Sequence, residues 1–163
     1  GPLKYFIDAI RANRKFSQSN IPGNVLLVHN TFTDKHSIEI AEEAFENPYW
    51  AICPLSNLFI HRALPPVELM RREGVVITLG TDSLSSNTVL SMVSEMECIQ
   101  RYFPRVPLTE LIEWATINGA KFLGKENVLG TIEPGKRPGI VLIENIDLNN
   151  LTLRPESSGR RLA

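Results

Sequence analysis

The 163-residue sequence contains little that would indicate a disulfide-stabilised, membrane-spanning or nucleic-acid-binding protein. Its only two cysteines, Cys53 and Cys98, lack CxxC spacing, so we expect buried thiols in a reducing compartment. No apolar run approaches the roughly 20 residues that a membrane helix needs, and no secretory signal is recognisable. The net charge is −1 without a basic block. We therefore predict a cytoplasmic globular domain with no nucleic-acid or membrane partner.

Two continuous apolar runs lead into residues that can bind a metal or move a proton. Residues 25–28 are followed directly by His29, and residues 75–79 are followed by Asp82 after a two-residue gap. Such runs predict parallel strands that are buried on both faces. In parallel α/β folds the chemistry lies in the loops after the carboxyl ends of the strands. We therefore expect His29 and Asp82 to meet at one edge of a sheet.

Around these runs the pattern predicts helices that alternate with strands. We expect a strand at 49–53, loops at 17–24 and 55–64, and helices at 5–11, 34–44 (N-cap Asp34), 67–72, 87–99 (N-cap Asn87) and 109–123. Residues 129–132 and 140–143 flank a Pro134-Gly135 turn, which predicts a β-hairpin. The stretch after Asn145 is polar and predicts no core.

Strand–helix alternation with short connections predicts an α/β fold built from right-handed parallel units. Three such strands suit either an open doubly wound sheet or part of a (β/α)8 barrel. A barrel usually needs about 250 residues, and three buried strands alone would leave two unpaired edges. We therefore expect strands that these 163 residues lack to come from elsewhere. No glycine-rich loop follows any strand, which disfavours an open nucleotide-binding sheet.

Five motifs, in order and with fitting spacing, resemble the second half of an amidohydrolase-superfamily enzyme of the deaminase and chlorohydrolase branch. They are His29-Asn30-Thr31, residues 53–58, residues 79–83, residues 115–121 and residues 130–137. The resemblance implies a partial (β/α)8 barrel, its last three βα units in residues 1–126. A short β-hairpin from a small β-sandwich domain would follow in residues 127–163.

The resemblance also implies a metal-dependent hydrolase. Such enzymes act on non-peptide carbon–nitrogen or carbon–chlorine bonds of small cyclic substrates. Asp82 would bind a divalent metal, zinc or alternatively iron, and would accept a proton from its water. His29 would hydrogen-bond the attacking hydroxide or the ring substituent as charge develops. Candidate substrate-binding residues are Ser56, Asn57, His61 and Asn87.

Each of these residues also has a structural interpretation. A histidine at a strand end can simply pack, and Asp82 or Asn87 can cap a helix. Ser56 and Asn57 can form a turn, and His61 can be solvated. Relatives also begin the barrel with His-x-His and carry a later His followed by Glu, and nothing before His29 supplies these residues. The chain alone is therefore expected to retain metal weakly and to be inactive.

Two functions remain open at this point. The first is a portion of a metal-dependent deaminase or chlorohydrolase, with guanine-like, triazine-like and thioether-nucleoside substrates all possible. The alternative is a non-catalytic half-barrel, completed by self-association or by a partner chain.

Overall fold

Seven helices and five strands occupy residues 2–12 and 21–162, the parts of the chain described by the computed structural model. In chain order they are α1 Pro2–Arg11, β1 Ile21–Val28, α2 Lys35–Ala44, β2 Phe45–Ile52, α3 Pro54–His61, α4 Val67–Arg72, β3 Val76–Leu79, α5 Met92–Tyr102, α6 Leu108–Ala115, α7 Ile117–Phe122, β4 Val141–Glu144 and β5 Ser158–Arg161. The loop predicted at 17–24 lies partly outside the described residues, and its described part belongs to β1.

The first three strands form a parallel sheet in the order β1-β2-β3, which confirms the prediction of parallel α/β units. Val28 pairs with Ala51, and Ile52 pairs with Leu79, so the carboxyl ends of the strands meet at one edge. We call this edge the rim. Parallel strands need a crossover between them, and helices α2 to α4 provide these connections.

The core lies around β2, which is the central strand and has Trp50 and Ile52 fully buried. Side chains of α5 and α6, including Ile99 and Leu111, belong to the same core. Burial on both faces was predicted for β1 as well, but Val28 is 50% exposed. Among the described strands, β1 has a neighbour on one side only, as does β3, where Val76 is 39% exposed.

Asp34 is the N-cap of α2, as predicted, and its Oδ1 accepts a hydrogen bond from the Ser37 N–H at 2.7 Å. The predicted N-cap Asn87 is wrong for α5. That helix begins at Met92, and Ser91 caps it by accepting from the Ser94 N–H. The amide of Asn87 is used elsewhere at the rim, as described below.

The loop predicted at 55–64 is largely the helix α3, which ends at His61. Its signal is Pro54 at the first helical position, where proline's fixed φ suits the helix. The single helix predicted at 109–123 is two helices that are separated at Thr116. The Thr116 hydroxyl donates to the Ile112 carbonyl, and the backbone leaves the helical region there with φ −133° and ψ −86°.

The predicted pairing of residues 129–132 with 140–143 is wrong. β4 instead pairs antiparallel with β5, at the end of the chain. Residues 129–132 pack on α7, where a Cβ on Gly130 (φ +90°) would stand 2.8 Å from the Ile117 Cα. The prediction of no core after Asn145 is also wrong, because Leu153 belongs to the core. The Leu153 N–H donates to Gln100 Oε1. Because the true partner strand is polar, hydrophobic patterning could not find it.

Both cysteines are buried free thiols, as predicted. Burial raises the pKa of Cys53 to about 11 and that of Cys98 to about 12, so both stay protonated near neutral pH. Across the described residues, no helix combines the length and apolar character needed to cross a membrane.

Candidate active site

The rim brings His29 and Asp82 together from the two strands that flank β2. His29 Nε2 lies 3.9 Å from Asp82 Oδ2, and both side chains are about one-third exposed. His29 (φ +72°) and Asp82 (φ +56°) both occupy the left-handed backbone region, which is uncommon for residues other than glycine. Such strained residues cluster at functional sites, where the surroundings must hold them in place.

Asp82 is held by two serine hydroxyls that donate to the same oxygen. Ser86 Oγ lies 2.6 Å and Ser56 Oγ 2.8 Å from Asp82 Oδ2. These hydrogen bonds, with that of Ser86 the stronger influence, lower the pKa of Asp82, and the charge of His29 lowers it further. Asp82 is therefore an ionised carboxylate at neutral pH. Sequence reasoning missed Ser86, although its position four residues after Asp82 was visible.

The His29 and Asp82 side chains leave a gap between them. A separation of 3.9 Å is too long for a hydrogen bond, but it leaves room for one atom that contacts both. The other ring nitrogen of His29, Nδ1, is buried and has no hydrogen-bond partner among the described residues. A histidine that only packs usually makes a structural hydrogen bond with its buried ring nitrogen. The His29 ring makes none through Nδ1.

The donor types at this gap fit a divalent metal, because carboxylate oxygen and imidazole nitrogen are both common zinc ligands. Their number is insufficient for a complete site. Across residues 2–12 and 21–162, no three His, Cys, Asp or Glu side chains lie close enough together to hold an ion. The described residues therefore do not form a complete metal site by themselves.

Asn57, predicted to bind substrate, is fully buried and holds the loop after β1. Its Nδ2 donates to Thr31 Oγ1 at 2.6 Å and to the His29 carbonyl at 3.2 Å. Its Oδ1 accepts from the Cys53 N–H at 3.1 Å. The side chain thereby joins the ends of β1 and β2 and fixes the backbone of His29.

His61, another predicted substrate-binding residue, is exposed on the same rim at the end of α3. Its Nδ1 lies 3.4 Å from Thr31 Oγ1, and its ring makes an edge contact with Phe32 at 5.6 Å between centroids. Phe32 is 77% exposed. Sequence reasoning did not select Phe32, although an aromatic residue three positions after His29 was a visible signal.

Asn87, the fourth predicted substrate-binding residue, is buried and holds the loop after β3. Its Nδ2 donates to the Thr81 carbonyl at 2.8 Å and to Glu95 Oε1 at 2.7 Å. Glu95 is 0% exposed, and its other oxygen, Oε2, accepts from the Leu55 N–H at 2.9 Å. Burial raises the pKa of Glu95 to about 7. Sequence reasoning missed this glutamate, although it stands four residues before Ile99 on the core-facing side of a predicted helix.

Comparisons with known proteins show the family of the chain and its fold. The model of the amidohydrolase family matches residues 3–157. A 5-methylthioadenosine/S-adenosylhomocysteine deaminase of Teredinibacter turnerae is 33% identical over 135 residues, which cover 78% of this chain and 29% of that protein.

Two solved structures are similar in fold. The aminofutalosine deaminase of Helicobacter pylori, in complex with methylthio-coformycin, is 32% identical with a TM-score of 0.59, covering 70% of this chain and 28% of that one. A zinc-bound adenosine deaminase from Xanthomonas campestris has a TM-score of 0.65 at 24% identity, covering 85% and 34%. The chain thus spans roughly a third of the length of the proteins it matches.

Proposed function

The chain belongs to the amidohydrolase family, and on that premise we propose that it supplies part of the active site of a hydrolytic deaminase acting on an adenosine-type nucleoside. The observation that carries the proposal is the pairing of His29 with an ionised Asp82 across a 3.9 Å gap. Both residues stand at the carboxyl ends of parallel strands, where α/β enzymes carry their chemistry.

Strands β1 to β3 are proposed to be three consecutive strands of a (β/α)8 barrel, with residues 1–126 in the barrel and 127–163 in a small β-sandwich. Two observations support this arrangement. The strands are parallel and follow chain order, and the similar solved structures are about three times longer than this chain.

A divalent metal, when bound, supplies a water whose pKa is lowered towards about 7. Asp82 is suited to hold this metal and to accept the proton of the water, because two hydroxyl hydrogen bonds keep its carboxylate ionised. Zinc is the proposed metal and iron the alternative, since both accept imidazole and carboxylate ligands. The remaining ligands would have to come from residues other than the described ones.

The reaction replaces an amino group with oxygen. The oxygen of water bonds to the ring carbon that carries the amino group, the carbon–nitrogen bond breaks, and nitrogen leaves as ammonia with the proton that Asp82 has accepted. His29 is placed to stabilise charge that develops on the new oxygen or on the ring substituent. Its Nε2 faces the gap, and its backbone is fixed by Asn57.

An adenosine-type substrate is proposed from the names of the relatives, which are deaminases of methylthioadenosine, S-adenosylhomocysteine and aminofutalosine. Of the four predicted substrate-binding residues, His61 is the one exposed at the rim, and it lies beside the exposed ring of Phe32. We therefore assign His61 and Phe32 to substrate contact. Ser56, Asn57 and Asn87 are assigned to holding the catalytic side chains.

The test uses the product of the complete reading frame that contains these 163 residues, which we call the full-length product. It would be assayed for ammonia release from 5′-methylthioadenosine, S-adenosylhomocysteine, adenosine and guanine, before and after removal of metal with a chelator. We expect release from at least one of the three adenosine-type substrates, loss on chelation and recovery with added zinc. Release from guanine alone would overturn the substrate class, and release that survives chelation would overturn the metal.

A non-catalytic half-barrel is the alternative, and it would leave the exposed Val28 on β1 and Val76 on β3 to be covered at the two edges of the sheet. In that case a second copy or a partner chain would cover these edges. A full-length product that is inactive on all four substrates and sediments as a dimer would support it. A cytoplasmic location is likewise proposed from the sequence and is testable by fractionation.

A further inference from the structure

Glu95 is a buried carboxylate that the proposed reaction does not use. It is 0% exposed, and both oxygens accept hydrogen bonds from neutral N–H groups. Burying a carboxylate is costly unless it is well hydrogen-bonded, and an apolar side chain at this core position would avoid that cost. A carboxyl group at this core position therefore calls for a reason beyond packing.

The two hydrogen bonds of Glu95 lead by separate routes to the loops that carry Asp82 and its partner. Oε2 accepts from the Leu55 N–H, and the next residue, Ser56, donates its hydroxyl to Asp82. Oε1 accepts from Asn87, which also donates to the carbonyl of Thr81, the residue just before Asp82. Helix α5 thus fastens both the loop after β2 and the loop after β3.

This arrangement closes a ring of contacts around Asp82. The hydrogen bond to Leu55 fixes the loop whose Ser56 hydroxyl donates to the Asp82 carboxylate. The hydrogen bond from Asn87 fixes the backbone of Asp82, which lies in the left-handed region at φ +56°. The ionised carboxylate has two acceptor oxygens and can receive both N–H groups, whereas glutamine would turn its own NH2 towards one of them.

We propose that Glu95 is a positioning residue that holds Asp82 in its metal-binding geometry by joining the loops after β2 and β3. The proposal rests on the proposed function for the role of Asp82. Groups around a metal ligand commonly change metal affinity or activity by about 10–100-fold when they are removed.

The test compares E95Q with two variants of the same helix in the full-length product. E97Q removes a carboxylate that pairs with Arg101 at the surface. V93A removes buried methyl groups on the side of α5 that faces β5, where a Cβ on Gly159 would lie 3.2 Å from Val93 Cγ2, and it lowers stability away from the rim. Three quantities are measured: hydrogen exchange of residues 53–58 and 80–88, zinc affinity by competition with a chelator, and kcat separately from KM.

In E95Q we expect faster exchange in both segments, zinc affinity lower by about 10–100-fold, and kcat lower with KM nearly unchanged. E97Q and V93A should leave both segments and the zinc affinity as in the wild type. Unchanged exchange in E95Q would overturn the inference, as would equal losses of zinc affinity in E95Q and V93A. Exchange needs neither metal nor substrate, so an inactive wild type would refute the proposed function while exchange still decides whether Glu95 joins the loops.

Discussion

The loops after β1 and β3 each hold a residue in a strained backbone conformation, but the buried side chains that hold them differ in charge. Each holds a proposed catalytic residue in the left-handed backbone region, His29 in one and Asp82 in the other. Each is fastened by a fully buried polar residue from a neighbouring helix, Asn57 on α3 and Glu95 on α5. Strain at a reactive residue is thus matched by a buried hydrogen-bond network in both loops.

The difference lies in charge. Asn57 is neutral at every pH and binds one donor and two acceptors. Glu95 titrates with a pKa of about 7, and it accepts at both oxygens. The loop of His29 is therefore held in a way that pH does not change, whereas the loop of Asp82 is held by a group whose charge changes near neutrality.

The largest expected effect is loss of the Asn57 network. N57A leaves the Cys53 N–H, the Thr31 hydroxyl and the His29 carbonyl without this partner, two of them on buried residues, which should lower the free energy of unfolding by about 3–5 kcal/mol at every pH. Urea unfolding followed by the fluorescence of the buried Trp50 and Trp114 measures it. N24A is the control, because Asn24 also donates to two carbonyls but is exposed. Equal losses in the two variants would show that burial of Asn57 does not matter.

The second-largest effect is expected for His29, the proposed catalytic residue of the same loop. H29Q should lower kcat by about 10²–10³-fold, because one donor aimed at developing charge is lost, while stability stays close to the wild type. The matched variant H36Q alters an exposed histidine of α2 and should be fully active. Steady-state kinetics of both variants on the best adenosine-type substrate measures the difference in kcat. A fully active H29Q would show that His29 has only a packing role.

The pH dependence of stability separates the two loops. The pKa of Glu95 in the folded state, about 7, lies above its ordinary value of 4.5. Its stabilising contribution is therefore complete below about pH 4.5 and is lost as the pH rises through 7. The loss is on the order of 3 kcal/mol, and it should be absent in E95Q. Of the titrating neighbours, Asp82 stays ionised and Cys53 and Cys98 stay protonated over this range.

The readout is the difference in unfolding free energy between wild type and E95Q, measured from about pH 4.5 to about pH 8. The same series for N57A should run parallel to the wild type. A pH-independent difference for E95Q, or a sloping one for N57A, would remove the distinction between the loops.

The smallest effect concerns the two hydroxyls on Asp82. Since Ser86 lowers the pKa of Asp82 more than Ser56 does, S86A should move the acid limb of kcat/KM to higher pH, and S56A should move it less. Activity is lost as Asp82 becomes protonated, so a weaker hydrogen bond shifts this loss upwards. S85A is the control, because Ser85 contacts Ser83 instead. An acid limb that is the same in all three variants would mean that another group sets it.

The sequence predicted the parallel sheet and the meeting of His29 and Asp82 at its edge because those signals are local. An apolar run followed by His29 or Asp82 is visible within a few residues, and parallel strands place their ends together. Glu95 was missed because its role depends on Leu55, 40 residues away. The pairing of β4 was wrong for a similar reason: its partner β5 is polar, and nothing in its pattern specifies the register.

The central claim is that Asp82 is the ionised group that binds the metal and takes the proton. The most direct test is ammonia release and zinc content of the D82N full-length product, with D8N as a control that changes an exposed aspartate of α1. The account predicts that D82N folds, loses at least about 10³-fold in kcat/KM and holds less zinc, while D8N equals the wild type. A D82N protein with wild-type zinc and wild-type ammonia release would contradict it.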